Sequence, residues 1–482
     1  MKTKLCWVVA AMALGSTASA QDVGSMPKTN PAYYALTGAT IVIGNGQSLE
    51  NGTVVIRDGL IESVGRGAPP AGARSISLDG MFIYPGLIDA LAEIGGPPPA
   101  AAPGAGRGGG RGGDAQVMSE EGPGYFAHIS AANLLDAAQG NPAAWRNQGV
   151  LTRHVSPANG IFKGTTAVIN LNGEVSDKML IQENIAMALS YRGAGFNSYP
   201  GSLMGVIAHI RQTLSDAVHY RDSWNVYRSN RRGLQRPEID RTLEALQPVI
   251  NGEVPLLFPA KREREIQRSI DMCKQFNTRC VVAGGFEADQ LIPVLKESGT
   301  PVLISLNFPR RPRDQHPEAE EDTSTIRYRV NAPAVASNLQ AAGIKFGFYS
   351  DGASAQDFLA GLRRTSARGL APEDAIRAAT LTTAEILGVS DVLGSIESGK
   401  VANLVVTDKD LFQDDAAVKH TFVDGIHFDA PDQPAAGRGG RAGRGGRGEP
   451  GPDGARANVS GDWEIDQCAE AFRPAPQGRI KR

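Results

Sequence analysis

Cysteine and histidine are both scarce in this 482-residue chain, four of the first and seven of the second. The cysteines, Cys6, Cys273, Cys280 and Cys468, have no regular spacing, which excludes a disulfide framework, and no Cys/His array has zinc-finger spacing. Cys273 and Cys280 flank an expected helix-to-strand turn and are expected to stay thiols. The histidines are His128, His154, His209, His219, His316, His420 and His427, and no pair shows ligand spacing along the chain. A charge excess is also missing: 49 basic against 51 acidic residues leave a net charge of −2, which implies no nucleic-acid partner. The apolar run Leu5 to Leu14 is too short for a bilayer, so no membrane span is expected.

That run has another use. Lys2 and Lys4 precede it, and the small-residue stretch Thr17-Ala18-Ser19-Ala20 follows, with Gln21 next. Charge, length and cleavage chemistry together read as a secretory signal peptide over residues 1–20, and hence an exported protein, periplasmic or secreted. Two further segments stand apart by composition. Residues 97–116 ("PPPAAAPGAGRGGGRGGDAQ") and 433–457 (containing "GRGGRAGRGGRGEPGPDG") cannot bury enough apolar area to offset their ordering entropy. They are expected to be a disordered insertion and a flexible linker, with weak contact to anionic envelope polymers as a minor role. The tail 458–482 opens with "ANVSGDWEI", which reads as the first strand of a β-domain cut short.

The remainder has the 41% hydrophobic content of the chain as a whole and clear periodicity. From Ala35 to Gly67, β-branched runs alternate with the turn pairs Asn45-Gly46 and Asp58-Gly59. The same style returns in "VANLVVTDKDL" and "VKHTFVDGIHFD". Residues 31–83 and 393–432 are therefore expected to form one small composite β-sandwich. Between them, "GVLTRHVS", "TAVINL", "VPLLFPA", "RCVVAGG", "TPVLISL" and "IKFGFYSD" read as buried parallel strands, with Phe82–Leu91 as the first. Helical stretches separate several of them. One puts Leu203, Val206, Ile207, Ile210, Leu214 and Val218 on one face, and leaves His209 at the rim. A second, "APEDAIRAATLTTAEILG", has Pro372 in its first turn and stops at Gly388. Alternation over residues 84–392 predicts an α/β fold, a (β/α)8 barrel, with its eighth strand unplaced between Leu171 and Pro255.

Three ordered stretches carry a family likeness: "LTGATIVIGNG…NGTVVIRDGLIESVG", "GMFIYPGLIDA" and "AATLTTAEILGVSDVLGSIESGKVANLVVTD". Together they resemble the amidohydrolase superfamily, in its imidazolonepropionase-like branch, from about Tyr34 to Phe428. The resemblance implies a barrel with a composite β-sandwich, hydrolysis of non-peptide carbon–nitrogen bonds, often in cyclic amides, and one or two zinc-type divalent metals that acidify a bound water. It also implies metal ligands: a His-x-His pair after the first strand, histidines after the fifth and sixth, and an acid after the eighth. In this sequence the pair falls on Leu91 and Glu93, the single histidines near Pro259 and Gly284, and the acid on Asp351. Only Asp351 matches.

No metal cofactor is therefore expected, although Glu93 and Asp351 remain residual metal candidates of the oxygen-only kind. Asp351 is the catalytic candidate, with Glu93, His154 and Lys261 as substrate-binding candidates. Asp351 has a second possible role, pairing with Lys261, Arg310 or Arg311 to hold the barrel end. Ser156, Asn159 and Lys163 lie on a glycine-broken loop of the kind that lines active sites. Two readings stay open: a hydrolase with an altered site, and a non-catalytic pseudoenzyme that binds a small molecule or an active homologous amidohydrolase.

Overall fold

The computed structural model describes residues 33–95, 118–119, 122–136, 141–173, 176–193, 200–312, 316 and 319–430. The expected signal peptide, the segments 97–116 and 433–457, the tail 458–482, and Cys6 and Cys468 lie outside these residues. Five strands open the described chain: β1 (Tyr33–Val42), β2 (Ser48–Arg57), β3 (Leu60–Gly65), β4 (Arg74–Ser77) and β5 (Phe82–Pro85). After Gly86 come β6 (Leu87–Ile94), the short β7 (Met118–Ser119) and β8 (Gly122–Pro123), β9 (Val150–Pro157), β10 (Phe162–Thr165), β11 (Ala167–Asn170), β12 (Leu180–Gln182) and β13 (Met187–Leu189). Then follow β14 (Leu256–Ala260), β15 (Cys280–Gly284), β16 (Val302–Ser305) and β17 (Phe346–Tyr349), and last β18 (Leu404–Thr407), β19 (Val418–Val423) and β20 (Ile426–Asp429).

Strands from both ends of the described chain share one eight-stranded sheet, in the order β20-β19-β18-β5-β1-β2-β3 with β4 on β1. Its turns use the residues the sequence offers. Asp58-Gly59 and Asp424-Gly425 all take positive φ (52°, 84°, 51° and 72°), the backbone of a two-residue hairpin loop that matches strand twist. Alternate residues build its core: Tyr34, Leu36, Ile41, Val54, Ile56, Ile83, Leu404, Val406 and Phe422.

The central strands form two sheets, ordered β10-β13-β14-β15-β16-β17 and β12-β11-β9-β6. From β13 to β17 each strand is parallel to the next, as is β6 to β9. Two strands, β12 and β13, lie between Leu171 and Pro255, where one was expected, and β13 joins the parallel run. One expectation fails: "TAVINL" is not a parallel strand, because β11 runs antiparallel to β9, with Ala167 opposite Val155 and Asn170 opposite Thr152. The short connection from Pro157 to Ala167 cannot make the crossover that a parallel pair requires. Among the described residues no ladder closes the two sheets on each other. They meet at β6 and β17, where Ser350 hydrogen-bonds Asp89, and again at β9 and β10, where Thr166 exchanges backbone hydrogen bonds with Ile185 and Ala186. Ala90, Ala188, Leu257, Val281, Ala283, Leu303 and Tyr349, from six of these strands, pack as one apolar cluster with Ala186, just before β13.

The long helix Leu203–Ser229 is capped by Ser202, whose Oγ accepts from the Gly205 amide at 3.2 Å. Its buried stripe is Val206, His209, Ile210, Thr213, Leu214, Ala217 and Tyr220. Leu203 is therefore not part of the packed face, being 46% exposed, while His209 is buried rather than at the rim, its Nδ1 3.3 Å from the Tyr125 hydroxyl. Packing begins one turn into the helix, which displaces the stripe from the one read in the sequence. The later helical stretch breaks at Thr380 (φ −131°, ψ −90°) into Pro372–Ala379 and Leu381–Leu387, and ends at Gly388 as expected. Cys273 and Cys280 are buried free thiols. No helix among the described residues is long and apolar enough to cross a membrane.

The terminal sheet is fastened to the central strands by a polar network. Asn403 donates to Thr152 Oγ1 (3.1 Å) and Asn170 Oδ1 (2.8 Å), and accepts from the Asp424 amide (3.0 Å). Asn170 and Asn172 in turn donate to the two oxygens of Asp424, at 2.6 and 2.8 Å.

Candidate active site at the strand ends

Asp89, two residues before Leu91 on β6, is fully buried. Its carboxylate accepts from the Ser350 amide (2.8 Å), the Ser350 hydroxyl (2.8 Å) and Arg153 Nε (3.1 Å). Burial pushes its pKa up, and Arg153 and Ser350 oppose that rise. The Arg153 guanidinium lies 4.2 Å from the centre of the Trp145 ring, which fixes its plane. Asp89 thus ties β6, β9 and the end of β17 together beneath the site. It was not singled out in the sequence, although it closes the "GLID" run that carries the family likeness.

Above this tie the two expected carboxylates each hold a lysine. Glu93, near the end of β6, receives Lys163 of β10 in a tight ion pair. Asp351, just past β17, receives Lys261 at 2.5 Å and the Ser305 hydroxyl at 2.9 Å, both on Oδ2. Of the three cations considered for Asp351, the structure places Lys261 on it, while Arg310 pairs with Asp357 and Arg311 lies by Glu321. Burial and the negative charges of Asp351, Asp89 and Glu93 push the Tyr349 phenol well above the ordinary range, so it stays protonated.

Gly284 explains how Lys261 fits. Its φ is +122°, and a Cβ there would lie 2.7 Å from Lys261 Cγ and 2.8 Å from the Ala260 carbonyl oxygen. The position where the resemblance puts a sixth-strand histidine is therefore filled by the stem of a neighbouring lysine.

His154 sits apart from these pairs. It is 1% exposed, with Nδ1 2.6 Å from the Ala90 carbonyl and Nε2 2.6 Å from Thr166 Oγ1. A carbonyl only accepts, so Nδ1 carries the proton, and Nε2 takes the Thr166 hydroxyl hydrogen. Burial lowers its pKa to about 4, and both nitrogens are spent within the strands.

These residues do not fit a zinc-type ion. Leu91 packs beside the apolar cluster, Pro259 and Gly284 offer no ligating side chain, and the two carboxylates already face ammonium groups. The arrangement presents two lysine cations, two carboxylates, a hydroxyl and a phenol donor at one end of the strands. Such a set can bind and orient a small polar molecule bearing its own carboxylate or amide.

Residues 281–427 match the model of the amidohydrolase family. An amidohydrolase from Thermotoga maritima MSB8 has a similar structure, with a TM-score of 0.68 and 21% identity over 82% of this chain and 100% of that one. An uncharacterized protein has a TM-score of 0.50 and 16% identity over 82% of this chain and 99% of its own. No curated protein matches the sequence. The segment 281–427, from β15 to β20, is thus amidohydrolase-family sequence, in a mixed α/β chain whose fold is similar to that of an amidohydrolase.

Proposed function

We propose that this chain is an imidazolonepropionase-like amidohydrolase relative whose strand-end site binds a small polar molecule and does not carry out metal-hydroxide hydrolysis. The observation that supports it most is the Lys261–Asp351 pair at 2.5 Å. The one acid retained from the expected ligand set is already neutralised by an ammonium. Without a Lewis acid, bound water keeps a pKa near its bulk value of about 15.7, and hydroxide is scarce at neutral pH. The ligand class suggested is a carboxylate-bearing amide or cyclic amide, its carboxylate exchanging with Asp351 or Glu93 for a lysine, and its carbonyl facing Tyr349. In the same reading, the two central sheets are the halves of a (β/α)8-type barrel around the shared apolar cluster, and the terminal sheet is its composite β-sandwich. Residues 1–20 direct export to the periplasm or beyond, and an active homologous amidohydrolase is the partner class to seek.

The alternative is an active hydrolase of carbon–nitrogen bonds using Asp351 as its base. The family match across residues 281–427 includes Asp351 and favours it. The two readings separate by assay. Purified protein is incubated with cyclic amides and N-acyl amino acids, with and without added zinc, and with a chelator. The binding reading expects calorimetric binding of a subset, weakened by Lys261→Ala, and no turnover above background. Turnover lost in Asp351→Asn, or abolished by the chelator and restored by zinc, would sink it.

A further inference from the structure

The β19–β20 hairpin holds an arrangement unrelated to the strand-end site. Its turn is Asp424-Gly425, so the register puts His420 directly opposite Asp429 and Phe422 directly opposite His427. Residues two apart on a strand share a face, and so do directly opposed residues. His420, His427 and Asp429 therefore emerge on one face, although seven and two residues separate them in sequence.

The distances are those of a ligand set. His420 Nδ1 lies 3.0 Å from Asp429 Oδ1, His427 Nε2 lies 3.3 Å from the same oxygen, and the two nitrogens are 3.2 Å apart. Ligands at about 2.0 Å from a tetrahedral ion stand about 3.3 Å from one another, which is the spacing seen on all three edges to within a few tenths of an ångström. Two imidazoles and a carboxylate form the donor mixture of open zinc sites.

The surroundings favour order. The His427 ring stacks on Phe422 with centroids 4.7 Å apart and planes at 16°, and meets Tyr34 edge-on at 6.1 Å. The two histidine side chains are 27% and 12% exposed, and Asp429 is 77% exposed, so the group opens to solvent on one side. Arg74 bears on the group from β4, close to Tyr34, whose buried hydroxyl has no well-formed hydrogen bond.

We propose that His420 Nδ1, His427 Nε2 and Asp429 Oδ1 form a binding site for a borderline divalent cation of the zinc type, on the edge of the terminal sheet and independent of the strand-end pairs. Its fourth position would be filled by water.

The test uses untagged full-length protein, stripped with a chelator, then titrated with zinc by calorimetry and with cobalt(II) by its visible absorption. Expected are one ion per chain and a cobalt band typical of low coordination. His420→Ala, His427→Phe and Asp429→Asn should each weaken binding by at least ~10-fold and abolish or shift the band. Asp351→Asn and Glu93→Gln should leave both unchanged. His427→Phe keeps a flat ring on Phe422, and Asp429 is exposed enough to change without unfolding the sheet. A circular-dichroism melt of each variant checks folding. Wild-type protein that binds no zinc at micromolar concentration overturns the proposal, leaving a hydrogen-bonded His-His-Asp triad. Zinc binding that survives the Asp429 and His427 variants overturns it too. Zinc binding lost in Asp351→Asn would instead place the ion at the strand ends and overturn both this proposal and the function proposed above.

Discussion

The strand-end site and the β19–β20 hairpin are opposites in donor chemistry. At the strand ends, where the family likeness puts histidines, the chain has Leu91, Glu93, Pro259 and Gly284, and two lysines pair with the carboxylates that remain. On the hairpin, where the likeness implies no site, two imidazoles and a carboxylate converge. The difference shows that position in a fold does not fix chemistry. What decides is which donor atoms converge and whether a built-in cation already satisfies them.

The sharpest way to test the separation is to damage the foundation of the first site and watch the second. Asp89→Ala leaves the Arg153 guanidinium and the Ser350 donors without their acceptor in a buried place. Breaking a buried pair from one side costs about 3–5 kcal/mol, so the urea midpoint should fall by a corresponding amount. His420→Ala, at a half-exposed edge, should cost far less in metal-free protein. Equal losses in the two variants would remove the contrast between a structural centre under the strand ends and a ligand group on the hairpin.

The next effect reports on His154 through pH. His154 has a folded pKa of about 4 against an ordinary value of 6.5. The unfolded chain takes up this proton first, so stability is fully present above pH 6.5 and is lost as pH falls from 6.5 through about 4. A shift of that size is worth roughly 3 kcal/mol. His154→Asn should be less stable than wild type at pH 7 and should lose less on acidification to pH 4.5, as read from urea midpoints at both pH values. Parallel pH profiles for the two proteins would mean that His154 is not held neutral by the strands.

How far these regions could be read from sequence follows from the kind of signal each leaves. The terminal strands, the turn pairs and the apolar runs were legible because periodicity and Asp-Gly turns are local. The direction of β11 was not, since "TAVINL" looks the same in a parallel or an antiparallel partner; only the length of its connection argues the point. The Lys261–Asp351 pair was among the alternatives considered, but Lys163 on Glu93 and Ser350 on Asp89 were missed, because they join residues 70 and 261 positions apart. The hairpin histidines were legible in principle. Centring a two-residue turn on Asp424-Gly425 pairs 420 with 429 and 422 with 427, yet a search for short His-x-His spacing along the chain passes over them.

A smaller effect tests whether Gly284 and Lys261 form one fitted unit. Gly284→Ala forces a side chain into a φ of +122° with contacts of 2.7 and 2.8 Å, and should destabilise by about 1–3 kcal/mol. Lys261→Ala in the same chain removes the Cγ contact but leaves the Ala260 carbonyl and the backbone strain. The double variant should therefore recover part of the loss and not all of it. Simple additivity in this cycle would show that the lysine stem does not press on residue 284, and the fit between the vacant histidine position and the lysine would be lost as an explanation.

The smallest expected effect concerns the pair that carries the functional reading. The Lys261 side chain is 44% exposed and Asp351 24%, so water screens their attraction, and Asp351 keeps the Ser305 hydroxyl when the lysine is gone. Partly exposed pairs of this kind contribute about 0–1 kcal/mol. Lys261→Met, which keeps the stem length, should change the urea midpoint by no more than that. The same variant should weaken a bound carboxylate ligand by more than it weakens the fold, because the ligand loses its countercharge while the fold loses only a screened contact. A loss of several kcal/mol in stability with unchanged ligand affinity would reverse the assignment. Lys261 would then be a structural clamp on the end of β17, and the strand ends would have no claim to be a binding site.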